Sequence, residues 1–152
     1  MPGAKVFVDS TTFLYSIDAV ERSKGRLAQS WLNSLTRNRA GMTNLQVLNE
    51  VASVITRKAA RFGASDPFIT IDAFATFGSA ALSHESALAA RQIFLRHHYS
   101  WWDCLLLASA LDLGCTHFLS EDLQSGHQIT DDTGRALTII DPFAHSPEQI
   151  LA

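Results

Sequence analysis

Ser100-Trp101-Trp102-Asp103-Cys104-Leu105-Leu106-Leu107-Ala108-Ser109-Ala110-Leu111-Asp112, followed by Leu113-Gly114 and then Cys115-Thr116-His117-Phe118-Leu119-Ser120-Glu121-Asp122, reads as a helix feeding directly into a strand, with an acid on each. Ser100 is a natural helix cap and Gly114 a natural stop. Between them the residues are apolar on nearly every side, which marks a buried helix. A lone carboxylate there costs several kcal/mol of desolvation unless it is paired or binds a cation. Asp103 is therefore a candidate ligand, although Ser100-x-x-Asp103 also has the spacing of a capping box, and one residue can serve both ends.

To either side the alternation continues. Lys5-Val6-Phe7-Val8 predicts a buried strand ending at Asp9, with caps at Asp9-Ser10-Thr11-Thr12 for a helix over Phe13 to Ile17. A second helix fits Glu21 to Leu35, with Leu27, Trp31 and Leu35 on one stripe, before Arg37-Asn38-Arg39-Ala40-Gly41 breaks it. Met42-Thr43-Asn44 leads into a long helical pattern ending near Arg61-Phe62-Gly63, and Asp66-Pro67 begins another helix through about Phe77. Ala80-Ala81-Leu82 reads as a short strand, Ser83 opens a helix to about His98, and Ala136–Ile140 is a last strand closed by Asp141-Pro142. Strands separated by helices imply an α/β fold, a mostly parallel sheet with helices on both faces. Only the last several residues read as a loose tail.

A length of 152 residues suits one domain, and 47% hydrophobic with 18% charged residues is ordinary for a globular chain. The start Met1-Pro2-Gly3-Ala4-Lys5-Val6-Phe7-Val8-Asp9 has no signal-peptide pattern, and the longest apolar run, Cys104 to Leu111, is too short to span a bilayer, so a soluble cytoplasmic protein is expected, with no membrane partner. Cys104 and Cys115 form no CxxC pair and are expected as buried reduced thiols. The net charge of −3 and the lack of a Lys/Arg tract give no hint of a nucleic-acid partner.

Ligands of open α/β sheets bind outside the carboxyl ends of the strands. Asp9 ends the first strand and Asp122 follows Leu119 by three residues, so both are candidates, with helix capping or a turn as the alternative for each. Glu50 falls at the margin of the apolar arc of Leu48, Val51 and Ile55, a position that suits a cleft wall or a solvated face. Arg57 and Arg61, seven and eleven residues on, share that face in a continuous helix; they could meet nucleic-acid phosphates or stand as solvated charges near a helix end. The six histidines show no HxxxH spacing, and no Walker loop, GxGxxG or GxSxG occurs. What remains is a set of hard oxygen donors suited to Mg²⁺ or Mn²⁺.

Val6-Phe7-Val8-Asp9-Ser10, Asn44 through Glu50-Val51, Tyr99-Ser100-Trp101-Trp102-Asp103-Cys104 through Ala110, and Gly114 through Ser120-Glu121-Asp122 to Gly126 resemble, in order and spacing, the four acidic motifs of PIN domains. Ile139-Ile140-Asp141-Pro142-Phe143 is similar to the closing strand of the VapC-type toxin group. The resemblance implies a PIN-like three-layer sandwich, residues 1–145 as the domain and 146–152 as a C-terminal tail. It implies that Asp9, Glu50, Asp103 and Asp122 gather one or two divalent cations, Mg²⁺ or Mn²⁺, with Ser10 and Ser120 behind them. It further implies a metal-dependent endoribonuclease, the toxin of a type II toxin–antitoxin pair, that cuts tRNA or rRNA to leave a 5′-phosphate and a 3′-hydroxyl. Its partners would be RNA, a cognate antitoxin and a second copy of itself.

Competing readings are weaker on residue type. A haloacid-dehalogenase-type phosphoaspartate enzyme needs a second Asp two residues after Asp9, where Thr11 stands, and a receiver domain needs paired acids and a late lysine. A housekeeping RNA-processing nuclease and an inactive RNA-binding module are the alternatives within the resemblance. Trp31, Leu35, Phe74 and Phe77 are expected to leave apolar surface for an interface.

Overall fold

The computed structural model describes residues 3–63 and 66–151. Its centre is a five-stranded sheet in the order β2-β1-β3-β5-β4, from β1 (Val6–Val8), β2 (Gly41–Met42), β3 (His117–Leu119), β4 (Gln128–Thr130) and β5 (Ala136–Ile140). All pairings are parallel except β4 with β5, so the sheet is mostly parallel, as expected. β1 and β3 are largely apolar because both sheet faces are covered; Phe7 and Phe118, opposite each other in register, stack with ring centres 5.2 Å apart.

The helices are α1 (Ser10–Ser16), α2 (Arg22–Asn38), α3 (Leu45–Arg57), α4 (Pro67–Phe74), α5 (His84–His97), α6 (Trp101–Asp112) and α7 (Pro147–Leu151) among the described residues. Side-chain caps explain several starts: Asp9, Asn44, Asp66, Ser83 and Ser100 each accept a backbone N–H from the first turn. α6 is buried from Cys104 to Leu111 and packs against α5. At Gly25 the carbonyl of Tyr15 would lie 3.0 Å from an added Cβ, so glycine lets α2 approach the end of α1.

Five expectations change. α3 stops at Arg57 instead of continuing to Gly63, because Lys58 leaves helical geometry and the following turns bond back to the α1–α2 connection through Ala19 N–H to Arg61 O, 2.9 Å. α2 runs past Leu35 to Asn38 and is ended by Arg39 in the left-handed region, φ 52°. Ala80-Ala81-Leu82 is no strand; Ala80 makes only an isolated parallel bridge with Asn44. The supposed tail contains α7, with Pro147 buried and the helix packed on α2. Trp31, Leu35 and Phe74 are buried, and Phe77 packs against the core, so none supplies a free patch. Phe13 draws in both phenylalanines, with ring centres 4.4 Å from Phe74 and 5.6 Å from Phe77. β2 and β4 were not expected at all. Cys104 and Cys115 are free and buried, and burial pushes their thiols up to about 11 and about 12. Among the described residues no helix is long and apolar enough to cross a membrane.

Candidate functional site

The carboxyl end of β1 delivers Asp9, which also caps α1. Its Oδ1 accepts from the Thr11 hydroxyl at 2.9 Å and from the Thr12 N–H at 3.4 Å. An edge of the residue meets solvent, yet the carboxyl is packed among protein atoms. Burial pushes it up to about 7 against the pull of those two hydrogen bonds, and the charges of Asp122 and Glu50 push the same way. Thr12, one turn into α1, buries its hydroxyl without a hydrogen-bond partner.

Two candidates from distant parts of the chain therefore act on Asp9 after β1: Glu50 on α3 and Asp122 in the connection after β3. Glu50 is half-buried and accepts from Gln46 Nε2 at 3.2 Å, one turn back. Asp122 is exposed. Ser120, buried at the end of β3, accepts the Leu123 N–H at 3.1 Å and so shapes the turn that presents Asp122. Ser10 opens α1 beside Asp9 and is half-buried.

Of the two roles considered for Asp103, the structure shows the cap. Its backbone N–H donates to Ser100 Oγ at 3.1 Å, and its Oδ2 accepts from the same hydroxyl at 2.8 Å, so the cap is formed. Among the described residues no three acids, histidines or cysteines close on one point tightly enough to hold a cation as the side chains stand. The donor set still suits a hard cation: a carboxyl forced up to about 7 by burial and two like charges is the setting a divalent ion relieves.

The two arginines separate from this group. Arg61, past the end of α3, gives a bidentate pair to Asp18, Nε to Oδ1 at 3.0 Å and a terminal nitrogen to Oδ2 at 2.9 Å, and holds that carboxyl down at about 2. Arg57 is exposed and donates to Ser53 O at 3.0 Å. Lys24, on α2, carries no motif that singles it out in the sequence. It pairs with Glu121, beside Asp122, and its ammonium lies 5.1 Å from the Tyr15 ring centre and 5.3 Å from that of Phe143. Glu121 is thereby engaged by Lys24.

A family model described as the PIN domain matches residues 6–127. The chain belongs to the PIN-domain family. Among solved structures it is similar to Mycobacterium tuberculosis VapC20, described as a Sarcin-Ricin loop cleaving toxin, at 17% identity and a TM-score of 0.56 over 78% of this chain and 92% of that one. That likeness is one of fold. No curated protein matches the sequence.

Proposed function

We propose that this PIN domain is a metal-dependent endoribonuclease and acts as a VapC-type toxin. The observation that carries the reading is the Asp9 carboxyl, packed among protein atoms at the carboxyl end of a central parallel strand, within reach of the charges of Asp122 and Glu50. Family membership and a fold shared with a ribonuclease toxin support it. Asp9, Glu50, Asp103 and Asp122 would hold Mg²⁺ or Mn²⁺, with Ser10 beside Asp9 and Ser120 shaping the Asp122 turn. When bound, the cation would activate a water and offset charge on the scissile phosphate. The protein's own part is to fix the carboxylates, with Arg57 exposed and able to turn its terminal nitrogens to the RNA backbone and Arg61 committed to Asp18. A toxin of this kind would work in the cytoplasm on tRNA or rRNA, as a homodimer restrained by a cognate antitoxin.

Total RNA incubated with the purified chain and Mg²⁺ or Mn²⁺ tests the reading. Cleavage should appear with wild type and fall by at least about a hundredfold with Asp103→Asn or Asp9→Asn, since each removes a metal ligand and leaves the packing intact. Full nuclease activity in Asp103→Asn would overturn the assignment of that residue, and absence of any metal-dependent cleavage by wild type would overturn the function.

A further inference from the structure

β3 ends at Leu119 and β4 begins at Gln128, so Asp122 sits on the connection 120–127, where Asp122, Gln124, Ser125 and Gly126 are all exposed. Leu123 packs against the core and gives the connection one apolar anchor; the exposed residues around it depend on hydrogen bonds. Its start is tied by Ser120 and by the Glu121–Lys24 pair. Its end is tied to β5, with Gly126 N–H to Ile139 O at 2.7 Å and Asp141 N–H to Ser125 Oγ at 3.2 Å.

One further contact comes from outside the sheet. Tyr99 lies immediately before the Ser100 cap of α6, four residues before Asp103, and Cys104 Sγ donates to its carbonyl at 3.6 Å. Its hydroxyl is 2.6 Å from Nδ1 of His127, and the backbone of Gln124 faces the same oxygen. His97 closes the cluster: its ring stacks with Tyr99 at 6.2 Å and meets His127 edge-on at 4.7 Å. Burial holds the phenol above its ordinary range, so it stays neutral and keeps a proton to share.

We propose that Tyr99 is a positioning residue whose hydroxyl, through His127 and the Gln124 backbone, braces the Asp122 connection against the segment that presents Asp103. This rests on the carboxylate site proposed above and adds what keeps two of its acids in register. Ligands drawn from separate elements must be held to within roughly half an ångström, and the groups that orient them typically govern about 10- to 100-fold in metal affinity.

Two measurements on the full chain test it. In the metal-free protein, Tyr99→Phe keeps the ring and removes the hydroxyl; amides of residues 121–126 should exchange about tenfold faster, with those of α3 and β5 unchanged. Calorimetric titration with Mn²⁺ should show Tyr99→Phe and His127→Ala weakened about tenfold, while His127→Asn, whose Oδ1 stands where Nδ1 stood and can accept the same hydrogen bond, stays within about threefold of wild type. Equal exchange in wild type and Tyr99→Phe overturns the brace. Faster exchange with undiminished Mn²⁺ affinity overturns the positioning role. If wild type itself takes up no Mn²⁺, the proposed metal site falls, and the brace is then judged by the exchange alone.

Discussion

Asp9 has an ordinary carboxyl pKa of 3.8 and is pushed up to about 7 in the metal-free fold. Between those values the folded chain keeps a proton that the unfolded chain has released. The contribution of this group to stability is therefore complete below pH 3.8 and is lost as pH rises toward 7, at up to about 1.4 kcal/mol per pH unit. Asp9→Asn should flatten that slope and melt higher than wild type at pH 7 in EDTA. Mn²⁺ should reverse the order, because only the carboxylate gains from the ion, by about 2.7 kcal/mol at a hundred times Kd. Thermal scans at several pH values check both; the same slope in Asp9→Asn and wild type would remove Asp9 as the source. The position of Asp9 at the end of a strand was legible in Val6-Phe7-Val8-Asp9. Its crowding by Glu50 and Asp122 was not, since those residues lie far along the chain.

Helix α3 shows how one capping side chain ties an element to the core. Asn44 is fully buried; its Oδ1 accepts the Val47 N–H at 3.0 Å and its Nδ2 donates to Ser109 Oγ on α6 at 2.9 Å. Asn44→Ala removes the cap and leaves the Ser109 hydroxyl unpaired in the interior, a combined cost of about 2–4 kcal/mol. For a chain of this size that lowers the melting temperature by about 5–10 °C, and a fall of less than about 2 °C would show that the contact contributes little. The cap itself could be read from Thr43-Asn44 ahead of an apolar period. The end of α3 could not: the helical pattern runs on to Gly63, but the chain turns after Lys58 and Arg61 pairs with buried Asp18, a partner far away in the sequence. β4 was hidden for a related reason, since Ile129 alone faces inward between two exposed polar residues.

The assembled chain leaves a different apolar surface from the one the sequence suggested. Phe68 and Ile69 on α4 are 63% and 68% exposed, and Leu95 and Trp102 are each 65% exposed. The proposed homodimer has these side chains available to bury, whereas Trp31 is spent inside, its Nε1 donating to Pro142 O at 2.8 Å. Light scattering on the purified chain should give about twice 16.7 kDa, and a mass of one chain at tens of micromolar would remove the dimer from the proposal.

Local pattern by itself determined the α/β class, most helix starts, the strands before Asp9 and Asp122, and the placing of Asp103 in the first turn of a buried helix. Caps and hydrophobic periods act over a few residues, so a linear reading captures them. The tertiary structure alone decided the strand order, the short β2 and β4, the coupling of Asp9 with Glu50 and Asp122, the Lys24–Glu121 pair across 97 residues and the Tyr99–His127 contact across 28. Each of these depends on burial and charge between segments that meet only after the chain has closed around its core, and neither partner carries a local mark of the other.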